Sequence, residues 1–236
     1  MKLGVILGSS FLRSSAFENF NTHSITTDYG NVQTLEGVIG EVPITIIRRH
    51  QFDVNKKYVP PHEINYKAMI AAFKQVGCDK IIGFYSVGSL KESIPLSSII
   101  VPDDYAYLGC PPYFSSDHSC HFVPSALDEE MRRSVIQILK EDGLNPVCEG
   151  TYFQTVGPRF ETKAEIRLYK DYFEVVGMTG ASEATLSQEL GIPFCMVGII
   201  DNMCHGLGAP LSIEVKIELN CKLVLQCSAR QEFSAV

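Results

Sequence analysis

Several short stretches carry side chains suited to holding a phosphate and a flat heterocycle. Gly8-Ser9-Ser10 combines small residues, which let backbone N–H groups approach an anion, with hydroxyl donors. The same residues also make an ordinary turn, and no Gly-Lys-Ser/Thr follows to form a Walker motif. Arg49-His50 offers a planar guanidinium fork suited to phosphate and an imidazole beside it. Tyr85-Ser86-Val87-Gly88-Ser89 adds hydroxyls and a glycine that permits a tight turn, leaving the Ser86 N–H free. Gly157-Pro158-Arg159-Phe160-Glu161-Thr162 sets an aromatic ring, able to stack on a heterocycle, beside a carboxylate able to accept its N–H. Met178-Thr179-Gly180 contributes another hydroxyl, and Asp201-Asn202 an amide that can hold the edge of a base. Each stretch alone also reads as a turn, a strand end or a helix entry. Together they have the composition of a site for a phosphate and a planar hydrogen-bonding base.

The elements around them explain how such residues meet. Lys2–Leu7 is an apolar run that reads as a buried strand. Val32–Gly37 and Val42–Arg49, separated by Gly40-Glu41, read as a hairpin. Ile64–Val76 places Met69, Ile70, Phe73 and Val76 on one helical face, and Gly77 stops it. Lys80–Tyr85, Ser97–Val101, Val147–Val156, Val175–Met178 and Phe194–Ile200 are strand-like, and 104–121 is a polar, proline-marked loop. Helices are expected at Ser125–Gly143, with Ser125 as N-cap, after the capping box Thr162-Lys-Ala-Glu165, at Ser182–Leu190, and from Ser212 to about Arg230. Strands alternate with helices and several strands are apolar throughout. That pattern predicts an α/β fold, a single-domain mixed but largely parallel central sheet flanked by helices. In such sheets ligands lie beyond the carboxyl ends of the strands, where the stretches above fall.

A chain of 236 residues fits one domain, 1–236, with a core large enough to need no staple. Lys and Arg number 20 against 27 Asp and Glu, a net charge of −7. That balance argues against nucleic-acid and membrane partners and leaves anionic small substrates open. The eight cysteines show no CxxC spacing and read as reduced thiols of a cytoplasmic protein, so no metal site is expected. The apolar core of the first residues is too short for a signal peptide, and the longest apolar run, Gly191–Ile200, is about half a membrane span.

The segments VILGSS, RRH, PPHEINYKA, YSVGSLKE, TVGPRFETKAE, VVGMTGASEATLSQELGI and the strand ending IIDN resemble the trimeric purine nucleoside phosphorylases and methylthioadenosine phosphorylases over nearly the whole chain. MTGASEATLSQELG and NMCHGLG look most like the bacterial branch that cleaves 5′-methylthioinosine. The resemblance implies the nucleoside phosphorylase fold and phosphorolysis: phosphate attacks C1′ of a purine nucleoside, giving free base and a sugar 1-phosphate. Phosphate is then a co-substrate and no metal or organic cofactor is needed. Carried over by position, Ser9, Arg49, His50, the Ser86 N–H and Thr179 would bind phosphate. Phe160 would stack on the base, Met178 would lie along the ribose, Glu161 would accept from the base N1–H, and Asn202 would bond purine N7 and the 6-substituent. His50, Glu161 and Asn202 would then be the catalytic set. The resemblance also implies a homotrimer, with His121 reaching the neighbouring subunit's pocket and residues around Ile213 and Ile217 near the 5′ group.

The pair Glu161/Asn202 fits a 6-oxopurine, because adenine lacks an N1–H. A one-residue slip would make Asp201 the base reader and restore adenine, so methylthioadenosine phosphorylase is the alternative. Three departures bear on activity. Ser10 replaces a usual glycine and is expected to crowd the phosphate. Tyr85 replaces a small residue and is expected to narrow the sugar site. The segment after His50 is about three residues longer than the family's and lacks its second histidine, with Lys56 or Lys57 as substitutes. If these have degraded the phosphate site, a nucleoside-binding protein with little catalysis remains.

Overall fold

Leu3–Leu7 forms strand β1, and all of it is buried. A strand apolar on both faces needs cover on both, and β1 lies inside the sheet. It pairs in parallel with β4 (Val42–Arg48) on one side and β5 (Lys80–Ser89) on the other. The computed structural model describes residues 1–11, 17–53, 55, 57–115, 124–204 and 223–228. The remaining strands are β2 (Asn21–Thr27), β3 (Gly30–Ile39), β6 (Ile99–Ile100), β7 (Asp104–Tyr107), β8 (Thr151–Gln154), β9 (Val175–Gly177) and β10 (Phe194–Met203). Their order is β2-β3-β4-β1-β5-β9-β8-β7, with β10 on β5 and β6 on β10. The sheet is mixed: parallel through β4, β1, β5 and β10 and through β9, β8 and β7, antiparallel in the β2-β3-β4 meander and at β5–β9.

Strand β5 is the branch point. It pairs with β1 up to Gly83, and with β9 only at Gly88 and Ser89, while β10 follows its other edge from Ile81 onward. Between Gly83 and Gly88 one edge of β5 is therefore left by both neighbours. The stretch Tyr85–Ser89 is strand, not the turn expected at Gly88. The apolar and glycine residues of that stretch serve a long central strand, and paired length decides the matter over local turn chemistry.

Helix α1 (Tyr66–Gln75) starts at Asn65, whose side chain accepts from the Ala68 N–H, and stops before Gly77 at φ +75°. Its face Ala68, Met69, Ile70, Ala72 and Phe73 is buried in one of two large apolar clusters. Helix α2 (Glu129–Glu141) buries Met131, Val135, Ile138 and Leu139 in the other. Its N-cap is Asp128, which accepts from Met131 N–H at 2.8 Å, and not Ser125. Both residue types can cap, and the one next to the first apolar period prevails. Helix α3 (Lys163–Tyr169) has the capping box at Thr162 and Glu165 with both arms formed.

Helix α4 (Gly180–Glu189) is buried from Gly180 to Ser187, although it contains serine, threonine and glutamate. Each polar group has a partner. Thr185 and Ser187 hydroxyls donate to Ala181 and Glu183 carbonyls, and Ser182 exchanges two bonds with Gln154 of β8. The last strand also runs further than expected. β10 passes through Asp201 and Asn202 to Met203, with a register shift between Ile200 and Asn202 that marks a bulge. Strands β2 and β7 were not legible as strands, since β2 is a polar edge strand exposed along most of its length. Residues 223–228 are helical, and the rest of the expected last helix lies outside the described residues. No helix among the described residues is long and apolar enough to cross a membrane.

Candidate active site

A cavity of about 310 Å³ opens beside the unpaired stretch of β5. It is lined by Ser9, Arg49, His50, Ser86, Phe160, Glu161, Met178, Thr179, Asp201 and Asn202, so the structure brings together the described residues expected to hold phosphate and nucleoside. His121, Ile213, Ile217 and Lys56 lie outside the described residues.

The loop after β1 must pass over Arg49, and Gly8 permits it. A Cβ there would stand 2.8 Å from Arg49 Nη1, 3.1 Å from the Phe84 carbonyl and 4.0 Å from Ser86 N. Ser9 then lines the cavity, while Ser10 turns away and shares a 2.7 Å hydrogen bond with the Ser86 hydroxyl. Ser10 therefore does not crowd the cavity. On the opposite wall, Gly157 has φ +68°, and a Cβ there would lie 2.5 Å from Met178 Sδ. The Gly157–Pro158 peptide is cis. This turn carries Phe160 and Glu161. Phe160 is 72% exposed at the cavity mouth, whereas Glu161 is buried and accepts from Thr155 Oγ1 at 2.6 Å.

Arg49 does not point its fork at the cavity. It is 2% exposed, with Nε and Nη2 at 2.7 and 3.0 Å from the two carboxylate oxygens of Glu183, which is 0% exposed. Nη1 donates to the Phe84 carbonyl at 3.0 Å. A guanidinium has five N–H groups, so one on Nη1 and one on Nη2 remain. The Tyr85 ring lies 4.4 Å from the guanidinium carbon, and its hydroxyl donates to Glu183 at 2.6 Å. Tyr85 lines the cavity, with its hydroxyl anchored inward on Glu183. Burial alone would push Arg49 toward neutrality, but the charge and hydrogen bonds of Glu183, together with the neighbouring tyrosines, outweigh it and hold the guanidinium protonated. Tyr152 from β8 completes the cluster, its ring 5.6 Å from that of Tyr85 and its hydroxyl accepting from the Thr179 and Gly180 N–H groups at 3.2 and 3.1 Å. Those two N–H groups at the start of α4 are therefore already bonded, and Thr179 has its hydroxyl to offer. Glu183 was missed as a functional residue although it lies inside GASEATLS, because a carboxylate in a helix reads as surface.

His50 is 6% exposed, and its Nδ1 lies 2.8 Å from the Val59 carbonyl. Tyr58 stacks on the ring, with centroids 5.0 Å apart and planes 10° apart. The long segment after His50 thus contributes Tyr58, Pro60 and Pro61 to the cavity. Lys57 instead lines a separate cavity with Arg48, Gln51 and Asp53. Burial, aided by the charge of Arg49, pushes His50 down to about 4. An unfolded histidine takes a proton below about pH 6.5, and native His50 refuses it until about 4. The native state binds fewer protons across that window, so stability falls as pH drops through it. The expected loss is about 2 kcal/mol by about pH 5. Urea midpoints near neutrality and near pH 5 measure it, and a His50→Gln variant should show a smaller difference.

The bulge in β10 turns two consecutive side chains to the cavity. Asp201 and Asn202 both line it, and Asn202 Nδ2 donates to Asp201 Oδ1 at 2.7 Å. Among the described residues no group of three His, Cys, Asp or Glu is placed to hold a metal ion.

The phosphorylase superfamily model matches residues 2–229. The chain belongs to that family. Among its relatives, a probable 6-oxopurine nucleoside phosphorylase of Archaeoglobus fulgidus is 36% identical over 206 residues, covering 87% of this chain and 83% of that one. A probable S-methyl-5′-thioinosine phosphorylase of Thermodesulfovibrio yellowstonii is 31% identical, covering 92% and 84%. An S-methyl-5′-thioadenosine phosphorylase of Pyrococcus abyssi is 35% identical, covering 84% and 77%. The fold matches that of a double mutant of adenosine/methylthioadenosine phosphorylase from Schistosoma mansoni, with TM-score 0.85 at 24% identity, covering 97% of this chain and 91% of that one. For a member of the phosphorylase superfamily, the polar residues around this cavity become candidates for its two substrates.

Proposed function

We propose that the protein is a pentosyltransferase, a phosphorylase of 6-oxopurine nucleosides, with S-methyl-5′-thioinosine as the preferred substrate and inosine or guanosine as the close second. One observation carries this reading: Glu161 and Asn202 line the same cavity as Ser9, His50, Ser86 and Thr179. Phosphate held at the hydroxyl end attacks C1′ as the C1′–N9 bond breaks, and the bonding electrons leave with the purine. The remaining N–H of Asn202 stabilises charge at N7, which is preorganised electrostatic catalysis. Glu161 accepts from N1–H, and Phe160 covers the base face. Holding both substrates removes the entropy of a bimolecular encounter. On this reading inorganic phosphate is the co-substrate, with no metal or organic cofactor. The whole chain is one catalytic domain, active as a homotrimer in the cytoplasm without nucleic-acid or membrane partners.

A second reading has support from Asp201. Its carboxylate lies on the cavity and can accept from a 6-amino group, which favours methylthioadenosine. Base release from methylthioinosine, inosine and methylthioadenosine, each with and without phosphate, decides between them. A hydrogen bond to a charged group is worth about 1.5–3 kcal/mol, so the adenine nucleoside should turn over about ten- to a hundredfold less well. Equal or better turnover of methylthioadenosine would make Asp201 the base reader. Base release without phosphate would indicate a hydrolase, and hypoxanthine binding without turnover a binding protein.

A further inference from the structure

The phosphate end of the cavity has two properties that act together. Its one guanidinium is already matched by a carboxylate: Arg49 and Glu183 form a bidentate pair sealed from water, with Tyr85 as a further donor to the same carboxylate. The guanidinium fork is thus turned to Glu183, and the pair as a whole brings no net positive charge.

The second property is the tautomer of His50. A carbonyl only accepts, so the 2.8 Å bond to Val59 requires the hydrogen to be on Nδ1. In the neutral ring Nε2 is then an acceptor, and it is the nitrogen left for the cavity that His50 lines. Tyr58 lies parallel against the ring face and opposes rotation. An acceptor repels a bare phosphate oxygen and accepts from a P–OH group.

We propose that this site takes up phosphate together with one proton, held between a phosphate oxygen and Nε2 of His50. The inference rests on phosphate being the second substrate. The other charged and titratable groups act in the same direction or are neutral to it. From the wall opposite, Glu161 and from β10 Asp201 bring carboxylates to the cavity, and both favour an anion that arrives protonated. Tyr58 beside His50, Tyr85 on β5, Tyr66 on α1 and Tyr152 on β8 are all held protonated by burial. His62 and Glu63, on the turn after Pro60, pair with each other near the surface at 3.8 Å. Dianionic phosphate already carries the one hydrogen that the departing purine must gain, so the proton taken up is additional to the reaction's own. It is called for because the Arg49–Glu183 pair brings no net positive charge to a dianion, and Glu161 and Asp201 line the same cavity.

Calorimetric titration of the full chain with inorganic phosphate, in two buffers of different ionisation enthalpy, measures this directly. Above the second ionisation of phosphate, uptake of close to one proton per phosphate is expected. The dissociation constant for total phosphate should weaken by about tenfold per pH unit there. Zero uptake with a flat or falling constant would overturn the proposal, as would absence of phosphate binding at every pH. A His50→Asn variant, which can present an amide N–H instead, should lose most of the pH slope, while an unchanged slope would remove His50 from the role. Because binding is read without turnover, an inactive protein that binds phosphate with a proton would defeat the proposed reaction and leave this inference standing.

Discussion

Replacing Glu183 with alanine is expected to destabilise the protein by about 3–5 kcal/mol, the range seen when one partner of a buried ion pair is removed. The cause lies less in the lost attraction than in what stays behind. Arg49 would remain inside with a carbonyl and a tyrosine face for company, and the Tyr85 hydroxyl would lose its acceptor. In a chain of this size that corresponds to a fall in melting temperature of roughly 10 °C. Urea unfolding at neutral pH measures it, and a loss below about 1 kcal/mol would show that water reaches the pair. The triple replacement Arg49→Met, Tyr85→Phe and Glu183→Leu should recover most of the stability, since apolar residues of similar volume replace such pairs without loss and no buried hydroxyl is left without its acceptor. It should not recover phosphate-dependent turnover. That contrast separates what the pair does for the fold from what Arg49 does for the site.

Asn202→Ala is expected to lower turnover at least tenfold, and on the order of a hundredfold if the amide meets the charge that develops on the leaving purine. The bulge at Ile200/Asn202 gives the comparison its edge, because it brings Asp201 to the same cavity. Asp201→Ala removes the group that accepts from Asn202 Nδ2, so its smaller effect should fall on how well the amide is oriented. Initial rates at saturating phosphate measure both. An unchanged rate for the Asn202 variant, with a large loss for the Asp201 variant, would reverse their roles and bring the adenine reading forward. Neither replacement should change the phosphate requirement, since the residues proposed to face phosphate come from other strands.

Much of this was legible because strand ends and helix starts carry chemical signatures. The run Leu3–Leu7 followed by Gly8, and Thr162 three residues before Glu165, each describe a local event that tertiary structure left alone. Three features were hidden for physical reasons. A polar edge strand such as β2 has no buried face to impose alternation, so only its partner β3 reveals it. The continuation of β5 through Gly88 depends on β10 lying beside it, a pairing across more than a hundred residues of chain. The orientation of Arg49 depends on Glu183, 134 positions away, and no spacing rule links the two. Residue types therefore marked out residues that share one cavity, while the partner of each emerged only in three dimensions.

The burial of α4 has a consequence for how such a protein can diversify. Glu183 and Arg49 constrain each other, so a substitution at either leaves its partner's charge orphaned in the interior and must be matched by a second change. Phe160 at the cavity mouth is under no such constraint, being exposed on a loop. Under mutational drift the end of the cavity around Arg49 and Glu183 should stay fixed while the end around Phe160 varies. A saturation library selected for growth on altered nucleosides should then accumulate its single-step winners around Phe160 and almost none around Glu183.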